Sequence, residues 1–124
     1  MATNQAKQKW QMYVKRGGDH YACCDHCGKK LYGKCEKHEL IPRSKSTPDA
    51  TSYDLLLVEE LSSLLCVDCH QHWHSGNSAP TPTQMRDVLF RKNIEFYGRE
   101  AVQAALDALK GDLNYVLDIE LPED

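Results

Sequence analysis

Cys66, Val67, Asp68, Cys69, His70, Gln71, His72, Trp73 and His74 follow one another without interruption. Two cysteines separated by two residues can turn both thiolates onto one tetrahedral ion. His70 and His74 stand four apart, so a helix running from Cys69 onward would stack both imidazoles on one face, ready to hold a second metal. On the same helix His72 lies roughly 200° round from His70 and points elsewhere. The stretch reads as two metal half-sites joined end to end.

The partner of the sulfur half lies upstream, in Cys23-Cys24-Asp25-His26-Cys27-Gly28. Cys24 and Cys27 repeat the spacing of Cys66 and Cys69, and two such pairs far apart in sequence are the pattern of a closed four-thiolate zinc site. Gly28 suits a knuckle turn that requires positive φ. Cys23 is an alternative to Cys24, His26 lies inside the loop, and Cys35 is left over as a small buried hydrophobe. With both pairs on one zinc, the segment His38-Glu39-Leu40-Ile41-Pro42 becomes a neighbour of the histidine helix. Three imidazoles and a carboxylate then surround one open site, a donor set open to Mg²⁺, Mn²⁺, Ni²⁺ or Zn²⁺. An ion there would polarise a phosphodiester while a nearby base deprotonates the attacking water.

The chain that must position these groups has 124 residues, enough for one small domain whose core a metal can supplement. Its six cysteines, with no apolar signal segment at the start, point to a reducing, cytoplasmic setting. No run approaches a membrane span. Charge is unevenly placed: residues 1–48 carry ten Lys/Arg against four acids, while the rest carry five against fourteen. A basic half that also holds metal ligands suits a polyanion such as DNA. The acidic half serves solubility or faces a protein partner through its C-terminal helices.

Residues 3–16 form a first helix with Ala6, Trp10, Tyr13 and Val14 on one stripe, ended by Gly17-Gly18. Leu31 to Ser44 reads as a strand or hairpin arm broken by Pro42, and Lys45 to Tyr53 as a loop. Leu55 to Val58 is either a buried strand or a helical turn, and Leu61 to Leu65 leads as a strand into the second cysteine pair. Ser75 to Pro82 is a linker. Thr83 caps a helix that ends near Gly98, and a further helix runs from Glu100 to Lys110 with Gly111 as its stop. A short strand is expected at Tyr115 to Leu121. The class is α+β: residues 1–76 hold the N-terminal helix and the metal-bearing core, and residues 77–124 add a helical extension packed on the same domain.

The order Cys-x-x-Cys, then His38-Glu39-Leu40-Ile41-Pro42-Arg43-Ser44, then Cys66-x-x-Cys69-His70-x-x-x-His74 resembles the HNH endonuclease family in its four-cysteine zinc form. The resemblance spans about residues 23 to 76. It implies a zinc-stapled ββα-metal core, a strand bearing His38 and Glu39, and a helix bearing the late ligands His70 and His74. Aligned on Pro42, His38 takes the metal-ligand position and Glu39 stands where the family has its general-base histidine. A register shifted by one makes His38 the base and puts Lys37 where a ligand belongs. The family's asparagine ahead of the second cysteine pair has no counterpart in Glu59-Glu60-Leu61-Ser62-Ser63-Leu64-Leu65, where Glu60 or Ser62 would have to replace it. The implied activity is hydrolysis of DNA phosphodiester bonds, with Arg43, Lys37 and Lys45 as phosphate contacts.

Three other readings compete. A module of the same fold can bind DNA or a protein without cutting, and Glu39 in place of histidine favours that. Cys66-Val67-Asp68-Cys69-His70 also fits the Cys-x-x-Cys-His pattern of covalent haem attachment. Finally, His70 and His74 can belong to the sulfur site itself.

Overall fold

The computed structural model describes residues 23–31, 36–45, 50–75 and 80–123. The expected helix at residues 3–16 and the leftover Cys35 lie outside them. The described part mixes helices with a two-stranded antiparallel sheet, as an α+β class requires.

A tight knuckle opens it. Gly28 adopts φ +80° and donates its N–H to the Cys24 carbonyl at 3.0 Å, while Cys24 N–H bonds the Lys29 carbonyl at 2.8 Å. The positive φ is the conformation for which a residue without Cβ is needed. Strand β1 (Glu36–Glu39) then pairs antiparallel with β2 (Ser62–Leu65), with Glu36 opposite Leu65 and His38 opposite Ser63. Alternation along β1 puts Glu36 and His38 on one face and Lys37 and Glu39 on the other. Asp25 joins the knuckle to β2: its backbone N–H donates to the Leu64 carbonyl at 2.9 Å, and its Oδ2 accepts from Leu64 N–H at 3.0 Å.

After Pro42 comes a single 3₁₀ turn, Arg43–Lys45. Helix α1 (Ala50–Leu56) occupies part of the stretch expected to be loop. Its first turn, Ala-Thr-Ser-Tyr, has no apolar periodicity to announce it, and its anchor is distant: buried Ser52 donates to Asp112 Oδ2 at 2.5 Å. Leu55 and Leu56 are accordingly helical, not a strand. Helix α2 (Val67–Ser75) starts directly after Cys66 and packs on both strands.

The N-cap of helix α3 (Pro82–Tyr97) is Thr81, not Thr83. Thr81 Oγ1 accepts from Gln84 N–H at 3.2 Å and Gln84 Oε1 accepts from Thr81 N–H at 2.9 Å, a reciprocal box that leaves Pro82 at the first helical position, where its missing N–H costs nothing. Gly98 ends α3, and α4 (Arg99–Asp112) continues through Gly111, one residue past the expected stop. Beyond it the chain is extended but pairs with no strand among the described residues. Leu117, Ile119 and Leu121 are buried in alternation with exposed Val116, Asp118 and Glu120, so side chains hold this strap, not a backbone ladder. Lys110 reaches Glu120 at 2.9 Å and Arg99 reaches the Pro122 carbonyl at 3.0 Å, which lays it along α4.

Buried apolar residues form one cluster that runs from Cys24 and Leu31 through Leu40, Ile41, Leu64 and Trp73 to Met85, Phe90, Leu106 and Ile119. The C-terminal helices thus complete the core on which the sheet rests. One polar contact inside it is specific. Asn93 of α3, fully buried, directs Nδ2 at the carbonyls of Glu59, Glu60 and Ser62 (3.1, 3.0 and 2.7 Å) and accepts from Ser63 Oγ at 3.3 Å. Ser62 Oγ adds a bond to the Val58 carbonyl at 3.0 Å. The turn entering β2, for which the sequence offers no nearby asparagine, is therefore held from a helix thirty residues later.

Replacing Asn93 by Ala removes the donor to the buried Ser62 carbonyl and to the Glu60 carbonyl, while Glu59 keeps its bonds from Ser62; at about 1–3 kcal/mol for each group left unsatisfied, a loss of about 3 kcal/mol is expected. Denaturant unfolding of Asn93→Ala beside the surface control Asn114→Ala measures it.

Candidate metal centre and histidine cleft

Three local features bring the four cysteines together. The knuckle presents Cys24 and Cys27, the Asp25–Leu64 bonds clamp it to β2, and β2 delivers Cys66 two residues later, with Cys69 in the first turn of α2. The four Sγ atoms lie within 4.8 Å of one another and can hold a metal ion; among the described residues no other group of three or more such ligands does. Cys27 Sγ is 3.8 Å from Cys66 Sγ, and Cys69 N–H donates to Cys66 Sγ at 3.5 Å. Cys23 is exposed and outside the group. His26 is also outside it, but its Nδ1 sits 3.5 Å from Cys69 Sγ. The group contains neither His70 nor His74, so those imidazoles do not belong to the sulfur site.

The thiols bear the marks of crowded donors. Burial pushes Cys24 and Cys69 up, and for Cys69 the neighbouring thiols add to the effect. For Cys27 burial acts in the same direction but is outweighed by the Lys29 backbone N–H and by neighbouring thiols, so it ionises more easily than a free cysteine. A divalent cation would resolve this conflict by drawing all four to thiolates and releasing protons.

On the other side of α2 a cleft of about 500 Å³ is lined by Lys37, His38, Glu39, Pro42, Arg43, Ser44, His70, Trp73 and His74. His38 is only 3% exposed; its ring meets Trp73 edge-on at 4.2 Å between centroids and stands 5.3 Å from His70. The expected helical stacking of His70 and His74 is present, with centroids 4.7 Å apart and Nε2 atoms at 3.2 Å. Two nitrogens bound to one ion at about 2.1 Å, with an angle near 100° between the bonds, would be about 3.2 Å apart. His72 points away as its spacing required, its Nε2 2.9 Å from the Pro80 carbonyl.

His38 Nε2 is buried and has no hydrogen-bond partner among the described residues. Burial, then the charges His70 and His74 would carry, push its pKa down to about 3. It therefore stays neutral at physiological pH, with a ring nitrogen that no group among the described residues satisfies.

Glu39 shares the cleft but is engaged: Arg43 Nε donates to its Oε1 at 3.0 Å, and the Arg43 guanidinium lies 5.3 Å over the Tyr53 ring. The Lys37 ammonium donates to the Leu57 carbonyl, and burial lowers its pKa. Lys45 is exposed at the end of the 3₁₀ turn, outside the cleft lining.

Sequence reasoning missed four contributors. Glu36 contacts His70 Nδ1 through its carboxylate, and its position two before His38, on one face of a strand, was a usable signal. Trp73, which walls the cleft, was flagged only as part of the histidine run. Asp25 and Asn93 act across 39 and about 30 residues, and no local pattern announces either.

The chain matches no protein-family model, no curated protein and no solved structure. Its own residues carry the functional reading.

A pH dependence follows from His38. The unfolded chain takes up a proton near pH 6.5, whereas the folded chain resists until about 3, so stability declines as pH falls through that window. Urea unfolding at neutral pH and at about pH 5, with no divalent ion added to the cleft, should show that decline shrinking in His38→Leu, which has no proton to gain.

Proposed function

We propose that this chain is a metal-dependent endonuclease of the HNH type that hydrolyses DNA phosphodiester bonds. The single observation behind this reading is the buried, unpartnered Nε2 of His38 in a cleft that His70 and His74 also line. Leaving such an atom unsatisfied is costly, and coordination of a divalent ion removes the cost. Two further features support it. The chain order, cysteine pair, β1, α1, β2, cysteine pair, α2, fits the ββα-metal arrangement that the resemblance implies, with α1 inserted between the strands. The turn ahead of β2, where the family has an asparagine of its own, is held by Asn93.

The sulfur site takes zinc in this proposal, since four thiolates at such spacing are its characteristic structural donors. His38, His70 and His74 would have to close on the second ion, since their ring nitrogens do not all lie within 4.8 Å of one another, and imidazole donors suit Ni²⁺ or Zn²⁺ more closely than Mg²⁺ or Mn²⁺, which rely on oxygen. When bound, that ion supplies Lewis acidity to a phosphoryl oxygen and the leaving oxygen. The chain's own groups do the rest. Glu39 accepts the proton of the attacking water, with Arg43 fixing its carboxylate. Exposed Arg43, with Lys37 and Lys45, positions the phosphate backbone. Trp73 closes the floor and keeps His38 dry.

One observation favours a second reading. The Arg43–Glu39 pair occupies the carboxylate that would serve as base, as in a module that binds DNA or a protein partner without cutting it.

Plasmid cleavage with Mg²⁺, Mn²⁺, Ni²⁺ or Zn²⁺ separates the two. Second-shell losses around a metal cost about 10–100-fold, so His74→Ala, which removes a ligand outright, should lower cleavage by on the order of 100-fold or more. Binding without cleavage under every ion would establish the module instead. For the sulfur site, chelation should unfold the domain, read as loss of far-UV dichroism and regained on adding zinc; structure that persists after complete zinc removal would reject that role.

A further inference from the structure

We infer that Glu36 is a positioning residue for the cleft: it holds the proton of His70 on Nδ1 and so turns the Nε2 lone pair toward the ion. The inference rests on the proposed metal reading of the cleft but assigns a residue that reading does not use.

Glu36 opens β1 opposite Leu65, the residue immediately before Cys66. It shares a strand face with His38, and α2 packs across both strands. Its carboxylate meets His70 Nδ1. A carboxylate only accepts, so the nitrogen facing it must carry the proton. Neutral imidazole has a single N–H, which leaves His70 Nε2 with the lone pair, accepting from His74 Nε2–H at 3.2 Å until an ion takes that proton's place. Which ring nitrogen coordinates is set by the bond the other one makes. Glu36 is therefore placed to choose the donor atom and orient the ring without itself touching the ion. Its side chain is 42% exposed, so its replacement leaves the core untouched.

The test uses the zinc-loaded full chain with Glu36→Ala and Glu36→Gln. Long-range ¹H–¹⁵N correlation of the histidine rings, without added metal, should show His70 protonated at Nδ1 in the wild type and at Nε2 in Glu36→Ala. Titration with Ni²⁺ should then show affinity at the cleft falling about 10–100-fold in Glu36→Ala. Glu36→Gln, whose amide oxygen still accepts from Nδ1–H, should recover most of it, with zinc content and thermal midpoint unchanged in both. An unprotonated His70 Nδ1 in the wild type overturns the inference, as does a Glu36→Ala variant with unchanged tautomer and affinity. So does a Glu36→Gln variant as weak as Glu36→Ala, which would make Glu36 a direct ligand. A wild type that takes up no Ni²⁺ at the cleft instead defeats the metal reading, and the tautomer spectra still decide the role of Glu36.

Discussion

The two hydrogen bonds between Asp25 and Leu64 are the constraint on which this architecture turns. They fasten an otherwise isolated knuckle to the edge of β2, and because Cys24 and Cys27 flank Asp25 while Cys66 follows Leu64 by two residues, the same clamp fixes the sulfur geometry. A carboxylate that is 95% buried is tolerated there because it satisfies a backbone N–H that pairs with no other strand among the described residues. Metal binding at the cysteines and strand-edge pairing by Asp25 are thus two expressions of one junction.

From that junction α2 leaves in a fixed direction, and the histidine cleft follows from it. The helix presents Cys69 to one side and His70 and His74 to the other, so a single nine-residue element serves both sites. β1 contributes His38 and Glu36 from one face, and Trp73 seals the gap between strand and helix. The result is a buried imidazole whose Nε2 has no hydrogen-bond partner among the described residues, beside two others that keep partial access to solvent. Such an arrangement is expensive for a purely structural core, where an apolar residue at position 38 would pack without the penalty.

Much of this was legible in the sequence because it depends on short-range geometry. The cysteine spacing and the four-residue interval between His70 and His74 are local rules, and the structure brings together the residues they selected. Glu36 is equally local and lies within the strand expected over Leu31 to Ser44, but the motif that assigns site roles begins only at His38. Helix α1 escaped because its anchor, Ser52 to Asp112, spans 60 residues. The sequence points to Thr83 as the cap because Pro82 closes a Ser/Thr/Pro-rich linker, whereas in the structure Pro82 is the first residue of the helix. Asp25 and Asn93 belong to a different category: each makes its essential contacts far along the chain, and an isolated Asp or Asn has the same appearance in a loop or on a helix as anywhere else.

The reach of Asn93 has a consequence for the order of assembly. A chain emerging from the ribosome as far as Ser75 already contains every cysteine and every histidine of the two sites, yet lacks the amide that fixes the backbone of Glu59 to Ser62 opposite His38 and Glu39. Strand pairing gains that support only once most of α3 has been synthesised. Vectorial synthesis therefore completes the donor atoms before it delivers the amide that braces the backbone beside them.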